Sequence, residues 1–155
     1  MIPEKIADFL HGPVFLSIGT CDDKLRPSHA WVTGAVVSPD RETITCFVVQ
    51  ARAAKVLPNL ESNGRITLSA GNPKHEAYQL KGRYVSSRPA DDKDRAVQEI
   101  YRSKLVPFML QCGRPEQTAR PFAMGFAYHP ALAITFRAEE IFLQIPGPEA
   151  GKRIQ

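Results

Sequence analysis

The sequence lacks the patterns that mark several common classes of protein. Its three cysteines, Cys21, Cys46 and Cys112, show no CxxC spacing, so neither a disulfide framework nor a zinc knuckle is predicted. The four histidines are scattered without the spacing of metal ligands, and we expect no metal site. No GxGxxG or P-loop pattern occurs, which argues against nucleotide recognition by either device.

Long apolar runs are missing as well. No stretch approaches the roughly 20 apolar residues that a bilayer-spanning helix needs. The first ten residues carry Glu4, Lys5 and Asp8, where a signal peptide has an uninterrupted apolar segment. From these absences we expect a cytoplasmic protein without a membrane partner.

The remaining composition is that of an ordinary globular protein. Of the 155 residues, 43% are hydrophobic and 23% are charged, which is typical of a chain that folds around one core. At this length we expect a single domain over residues 1–155. The net charge is +4, but the basic residues are dispersed among acidic ones. A small anionic ligand therefore fits the charge better than nucleic acid does, and a nucleic-acid-binding barrel is the weakest reading.

Short β segments dominate the chain. Alternation or a high density of β-branched residues predicts strands at residues 14–20, 25–37, 43–49, 65–70, 77–86, 122–128, 131–137 and 140–145. Helical spacing is confined to residues 3–10, the segment from Arg52 to Asn63, and residues 91–110, where Pro107 is expected to break the last turn. Residues 113–120 predict a loop and residues 145–155 a turn-rich tail.

This succession of elements predicts a mainly β (α+β) fold. About eight short strands with two or three peripheral helices argue against an alternating parallel sheet and for a small antiparallel barrel. Pro27 has no amide hydrogen, so the start of its strand is expected at a sheet edge. The strand at residues 43–49 has the strongest β composition, and we expect it to be central.

The segment with the clearest chemistry is residues 48–55, in which an apolar strand is followed by Gln50 and then by a helix start that carries Arg52 and Lys55. The amides of a helix N-terminus, together with a guanidinium and an ammonium group, are suited to a phosphomonoester. The alternative is that Arg52 and Lys55 are solvated charges on a helix face, and their spacing does not decide between the two.

The order of these segments resembles the FMN-binding split-barrel family that is similar to pyridoxamine 5′-phosphate oxidase. The resemblance covers most of the chain: a short helix, strands at residues 14–20, 26–37 and 43–49, and then the Arg/Lys helix. Residues 59–68 (NLESNGRITL) look like the family's Asn-Leu, Asn-Pro, Arg-Val-Ser-Leu stretch. Residues 79–83 (QLKGR) look like its strand ending in Gly-Arg or Gly-Lys. The resemblance implies an antiparallel Greek-key split barrel that binds FMN.

The resemblance also assigns roles to particular residues. The flavin ring is expected along the strand that contains Ala30, Trp31, Val32 and Thr33. The phosphate is expected at the segment with Gln50, Arg52 and Lys55. Gln79 and Lys81 correspond to positions where the family offers polar side chains to the flavin. Trp31 as a core aromatic is an equal alternative, and His29 is expected to be an exposed strand residue rather than a catalytic acid. No catalytic residue is identified.

Two departures from the family pattern limit the assignment. The family often has adjacent Arg-Lys in the phosphate segment, whereas Arg52 and Lys55 are separated and an extra residue precedes Asn59. The Trp-rich segment and the Arg-x-His-x-Arg pattern that true pyridoxamine-phosphate oxidases use to hold their substrate are absent. We therefore expect an FMN-dependent oxidoreductase that acts on another small molecule. The alternative is a flavin- or haem-binding carrier or sensor without turnover.

The resemblance further implies a homodimer with the flavin at or near the subunit interface. A barrel this small fills its interior with side chains, so an isoalloxazine ring needs an outer groove that a second subunit covers. The apolar stretches at residues 31–37 and 122–128 are the expected interface.

Overall fold

One antiparallel sheet of seven strands organises the chain. The computed structural model describes residues 1–124 and 127–155, and four helices accompany the sheet in these residues. The elements are α1 (Glu4–His11), β1 (Phe15–Cys21), β2 (Pro27–Trp31), β3 (Ala35–Val37), β4 (Thr43–Val49), α2 (Gln50–Asn63), β5 (Arg65–Gly71), β6 (Ala77–Pro89), α3 (Asp92–Gln111), α4 (Glu116–Met124) and β7 (Ala131–Leu143).

The sheet closes on itself between its two edges. The strand order is β2-β1-β5-β6-β7-β4-β3, so the consecutive strands β2 and β3 lie at opposite ends. The residues between them reach β4, because the Thr33 N–H donates to the Phe47 carbonyl (2.7 Å) and the Phe47 N–H donates to the Gly34 carbonyl (2.9 Å). These two bonds tie the segment that follows β2 to β4 and close the sheet into a barrel, as the sequence predicted.

The junction at Gly34 divides a segment that the sequence predicted as one strand over residues 25–37. That prediction is wrong, because the first half pairs with β1 and the second with β4. Gly34 has φ +134°, which side chains disfavour, and a Cβ there would lie 3.4 Å from the Phe47 ring. A glycine is needed where the extended chain changes partners at close quarters.

Alternate residues of the strands fill the barrel. Ile18 on β1, Leu68 on β5, Leu80 on β6, Ile44 on β4 and Phe136 on β7 are all fully buried. Cys46 is buried among them, and burial raises the pKa of its thiol well above the usual range. The period-two alternation of the sequence therefore corresponds to an inner, apolar face and an outer face.

The positions of two strands can be compared with expectation. Pro27 begins β2, which is an edge strand, so the expectation for its location is confirmed. The strand β4 lies between β7 and the short edge strand β3, one place in from the edge and not at the centre.

Four other expectations need correction. Residues 131–137 and 140–145 form one strand, β7, which stays paired with β6 through two register shifts. The helix α3 continues through Pro107 to Gln111. The expected loop at residues 113–120 contains the start of α4, and Phe122–Met124, expected in a strand, are its last turn. Gly125 and Phe126 lie outside the described residues, and Ala127 and Tyr128 are in no strand.

The helix α4 was missed because its inward face is made of small residues. Ala119 and Ala123, four residues apart, are fully buried, and α4 packs on α3. Alanines at this spacing give a weak hydrophobic signal although they favour helix strongly. No helix within the described residues is long and apolar enough to cross a bilayer.

The start of α3 is fixed by two reciprocal carboxylates. Asp91 Oδ1 accepts from the Lys93 and Asp94 amides, and Asp94 Oδ2 accepts from the Asp91 amide (2.8 Å). Arg88, near the end of β6, donates to both carboxylate oxygens of Asp94 at 2.5 and 3.1 Å. Burial alone would raise the pKa of Asp94, but the bonds from Arg88 and the Asp91 amide outweigh it and hold the pKa below its usual value.

Replacing Asp94 should therefore destabilise the protein in a pH-dependent way. We expect Asp94→Asn to lower the free energy of unfolding at pH 7 by about 1.5 to 3 kcal/mol, because the charge-assisted bonds to Arg88 are lost. A carboxyl whose pKa is lower in the folded state stabilises the protein fully at pH values above its pKa in the unfolded state. This stabilisation is lost as the pH falls through its pKa in the folded state. The difference between wild type and variant in urea unfolding should thus shrink below about pH 4.

The matched control is Asp92→Asn, which changes a carboxylate in the same helical turn whose side chain is 99% exposed. It should leave stability nearly unchanged. Equal losses in the two variants, or an Asp94→Asn loss that is independent of pH, would contradict the role given to the Arg88–Asp94 pair.

Candidate functional site

A pocket lies between the edge strand β2 and the first turn of α2. Its volume is about 230 Å³, and its walls are His29, Ala30 and Trp31 from β2, Val49 from the end of β4, and Arg52 from α2. The helix α2 packs against β2, which brings the two sides together. We call this the Arg52 pocket.

The first turn of α2 gives the pocket a positive end. The chain passes from β4 into α2 at Val49 and Gln50, and no side chain caps the helix among the residues that the structure describes. The Gln50 amide donates to the Pro130 carbonyl (2.9 Å), and the first turn contains no acidic residue. The remaining amides of the turn and the positive end of the helix dipole are suited to an anion beside Arg52.

The three sequence-predicted residues of α2 differ in position. Arg52 is exposed and lines the pocket. Lys55 is also exposed and lies three residues further along, on the neighbouring part of the helix surface, but it does not line the pocket. Gln50 is exposed and lines neither this pocket nor the groove described below. In the described part of the chain neither Arg52 nor Lys55 forms a salt bridge.

The strand side of the pocket is dominated by Trp31. Trp31 is 38% exposed, and its indole contacts the rings of Phe15 and Phe122, at 5.0 Å and 5.4 Å between centroids. The Val32 amide donates to the Leu16 carbonyl, so strand alternation directs the Trp31 amide away from β1, toward the outer edge of β2.

The other two residues predicted on this strand lie in the interior. Val32 and Thr33 are buried, and their amides donate to the carbonyls of Leu16 and Phe47. Their structural roles are to pair with β1 and to close the barrel. Only Trp31 of the three presents its side chain to the pocket.

An open groove continues from the pocket across the outer face of the sheet. Its volume is about 550 Å³, and it includes Gln79 and Lys81 of β6 together with His29, which also lines the Arg52 pocket. Its floor carries the small residues of β1 and β5, where Ser17 pairs with Ser69 and Gly19 with Thr67. The Lys81 ammonium lies 4.5 Å from the centroid of the Phe142 ring. The groove therefore joins the predicted phosphate segment to the predicted polar residues of β6.

The glycine of the QLKGR motif in β6, Gly82, is required for steric reasons. A Cβ on Gly82 would lie 2.0 Å from the carbonyl oxygen of Arg137 on β7, at one of the two register shifts. Only glycine permits this approach. The residues on either side of it, Lys81 and Arg83, both line the groove.

A buried polar side chain next to Thr33 was not predicted from the sequence. Gln98 of α3 is fully buried, and its Nε2 donates to Thr33 Oγ1 (2.6 Å), which in turn donates to the Phe47 carbonyl (3.1 Å). Gln98 Oε1 has no hydrogen-bond partner among the residues that the structure describes. A polar residue in phase with Tyr101 and Leu105 on the buried face of α3 was the available signal.

Arg102, four residues after Gln98 on α3, contacts both α4 and Tyr128. Its Nε donates to the Ala123 carbonyl of α4 (3.1 Å), and its guanidinium carbon lies 4.2 Å from the Tyr128 ring centroid. Burial raises the pKa of Tyr128, an effect that Arg102 reduces in part. Burial also raises the pKa of Tyr101, so both phenols are neutral at physiological pH.

Comparison with solved structures identifies the fold. HupZ of Group A Streptococcus superposes with a TM-score of 0.57 at 18% identity, over 97% of this chain and 100% of that one. An F420 reductase gives 0.53 at 13% identity, over 90% and 98%. A pyridoxamine 5′-phosphate oxidase-related, FMN-binding protein of Nostoc punctiforme gives 0.51 at 13% identity, over 96% and 89%. No protein-family model matches the sequence, and no curated protein matches it.

These similarities and the closed antiparallel sheet define the fold. The chain has the split-barrel fold of the FMN-binding proteins similar to pyridoxamine 5′-phosphate oxidase. The fold class inferred from the sequence is confirmed, and the resemblance holds at the level of the fold.

The Thr33 hydroxyl connects Phe47 of the barrel to Gln98 of α3, and this role can be tested by substitution. We expect Thr33→Val to lower the free energy of unfolding by about 1 to 3 kcal/mol, because Gln98 loses its hydrogen-bond acceptor in a buried site. Emission of Trp31, the single tryptophan, should also shift, since it lies two residues away. Thr33→Ser keeps the hydroxyl and is the control. If Val and Ser variants behave alike in urea unfolding, the hydrogen bond does not have this role.

Proposed function

We propose that this protein is an FMN-dependent oxidoreductase that binds the flavin phosphate in the Arg52 pocket and the flavin ring along the adjoining groove. The observation that carries the proposal is that the uncapped, positive first turn of α2, the Arg52 side chain and the Trp31 indole meet in one pocket. The structural similarity to an FMN-binding protein agrees with it.

The residues fit a phosphomonoester in charge and geometry. Arg52 provides a forked donor beside the helix amides, and Lys55 adds a second cation one turn along. No carboxylate lines the pocket in the described residues. A dianion is thus favoured by the positive end of α2 and by Arg52, which forms no salt bridge with any described residue.

The groove fits the remainder of the molecule. The pocket alone is too small for a whole flavin nucleotide, and the larger groove begins at their shared residue, His29. Gln79 and Lys81 supply an amide and a cation in the groove. When bound, FMN supplies two-electron redox chemistry. The chain's own residues hold its phosphate, orient its ring and limit access of water.

A binding protein without turnover uses the same elements and is the alternative. A carrier or sensor would bind flavin, or haem, in the groove with no change in oxidation state during its task. Mixing the FMN-loaded protein with NADH or NADPH and an electron acceptor separates the two. Catalytic oxidation of the nicotinamide supports the oxidoreductase, and its absence with every donor and acceptor supports the carrier.

The proposed oligomer is a homodimer in which the second subunit covers the groove. Of the two stretches first expected at the interface, residues 31–37 offer little surface to a second subunit, because Val32, Thr33, Ala35 and Val37 are buried within their own chain. The expectation for residues 122–128 stays a prediction. The outer face of β1 and β5 is better suited. Its small side chains, among them Ser17 and Ser69, allow close approach of another surface.

The phosphate assignment predicts a change in ligand selectivity. In the double variant Arg52→Ala/Lys55→Ala, affinity for FMN should fall about ten- to hundredfold, because charge-assisted bonds worth roughly 1.5 to 3 kcal/mol are lost. Riboflavin lacks the phosphate, so its affinity should change little. Fluorescence titration of both flavins measures the ratio of the two affinities directly.

Lys93→Ala is the matched control, since it removes an exposed cation from the first turn of another helix, α3. It should leave both affinities as they are. If the double variant keeps the wild-type preference for FMN over riboflavin, the phosphate does not bind in this pocket.

The dimer has its own test. Sedimentation at micromolar concentration should show a dimer, and Ser69→Arg should shift it toward monomer and weaken FMN binding, because a long charged side chain would occupy the shared face. Ser103→Arg, on the exposed side of α3, is the control and should remain dimeric. A wild-type monomer with full FMN occupancy would contradict a shared site.

A further inference from the structure

Three arginines lie directly opposite one another on neighbouring strands. Arg65 of β5 pairs with Arg83 of β6, and Arg83 pairs in turn with Arg137 of β7. Residues that are directly opposite in an antiparallel pair have their side chains on the same face, with Cβ atoms about 5 Å apart. All three are exposed, so this is the outer face of the sheet, and we call them the arginine row. Like charges at such positions disfavour strand pairing, so the row calls for negative charge nearby.

The carboxylates of the described chain neutralise the row unevenly. Arg137 Nη1 lies 2.7 Å from Glu42 Oε2, and Arg83 Nε lies 3.8 Å from Glu139 Oε2. The Arg83–Glu139 pair is about half exposed on both sides, where such a pair is weak. Arg65 forms no salt bridge, and its side chain forms no hydrogen bond, with any described residue. Positive charge is therefore in excess at the Arg65–Arg83 end of the row.

That end of the row belongs to the groove on the outer sheet face. Arg65 and Arg83 both line the groove, whereas Arg137 does not. Thr67, two residues along β5, lies on the same face and is opposite Gly19 of β1. A Cβ added at Gly19 would meet nothing within 4 Å, so the floor beside the two arginines is open. The groove volume of about 550 Å³ is in the range of sites for small molecules.

Asn63, the last residue of α2, holds the two arginines in position. Its Oδ1 accepts from the Arg65 amide (3.0 Å), and its carbonyl accepts from Arg83 Nη1 (3.2 Å). Its Nδ2 donates to the Cys21 carbonyl of β1 (2.8 Å). The start of β5 and the guanidinium of Arg83 are thus fixed through one residue before any ligand arrives, which lowers the entropic cost of binding.

The occupant has to bring negative charge that this face lacks. A second copy of the face brings the same arginines, and its two groove carboxylates already have arginine partners, Arg83 for Glu139 and Arg153 for Glu140 (2.8 Å). A nucleic-acid backbone laid across the sheet would be repelled by these carboxylates. A small organic anion reaches the guanidinium groups without covering them, and forked donors fit the paired oxygens of a carboxylate or phosphate.

We propose that Arg65 and Arg83 form an anion-binding site for the carboxylate or phosphate group of a small organic molecule. The site is separate from the Arg52 pocket, which neither arginine lines. By strand register, Arg65 lies two strands and two residues from His29, the residue that the pocket and groove share, a separation of about 12 Å. The proposal goes beyond the flavin site and does not depend on it.

NMR titration of the arginine side chains tests the site directly. The Nε–H resonances of Arg65 and Arg83 in the full chain, assigned with glutamine variants, are followed as succinate, inorganic phosphate or succinamide is added at constant ionic strength. Succinate presents carboxylates, and succinamide has the same carbon skeleton without charge. We expect saturable shifts of both resonances with succinate, phosphate or both, and none with succinamide. The anion that binds more tightly identifies the acid group of the ligand.

Arg65→Gln separates a binding role from a structural one. It should weaken binding of the tighter anion about tenfold, because a charge-assisted contact is lost. It should be at least as stable as wild type in urea at low ionic strength, since it also removes a like-charge pair. Arg95→Gln, which changes an exposed guanidinium on α3, is the matched control and should bind the anion normally. Arg52→Ala/Lys55→Ala should also keep this binding, whatever its effect on FMN.

Four results overturn the proposal. If no shift saturates, or if sodium chloride alone produces the same shifts, the arginines are ordinary solvated charges. If succinamide binds as well as succinate, the groove does not recognise charge. Loss of the shifts in the Arg52→Ala/Lys55→Ala variant would place the anion in the Arg52 pocket. If Arg65→Gln changes a dimer to a monomer in sedimentation, the row binds carboxylates of a second subunit instead.

Discussion

The structure depends on the change of pairing partner at Thr33 and Gly34. There one extended segment leaves β1 and joins β4, through two backbone hydrogen bonds with Phe47. Gln98 of α3 donates to the Thr33 hydroxyl from outside the barrel, so the same residues fix the long helix to the closed sheet. Without this junction the two edges of the sheet would be open, and open edges invite pairing with other chains.

The position of the candidate site follows from that closure. Because Phe47 is held against Gly34, the end of β4 and the start of α2 come to lie beside β2, with Trp31 two residues before the junction. The positive first turn of α2 and the indole then share one pocket. The groove on the outer sheet face extends it, because small residues on β1 and β5 leave room between larger side chains. The barrel interior is filled, so ligand chemistry is confined to the outside.

Much of this was readable from the sequence because it depends on local patterns. Alternation located most strands, the proline at position 27 marked an edge, and the passage from Val48 to Lys55 marked a strand followed by a helix. The predictions that failed concern features that are set by contacts between residues far apart in the sequence. The sequence around Gly34 has no local sign that pairing changes from β1 to β4, and the alanines of α4 give no strong apolar stripe. Gln98 is in phase with Tyr101 and Leu105 on α3, but this spacing is a weak signal for burial because the side chain is polar.

The central claim is that a flavin nucleotide occupies the pocket and groove, and the absorbance spectrum of the purified protein tests it most directly. The account predicts the two-band spectrum of an oxidised flavin, either as isolated or after addition of FMN and removal of the excess by gel filtration. A Soret band in the isolated protein, or a colourless protein that retains no added FMN, would contradict it.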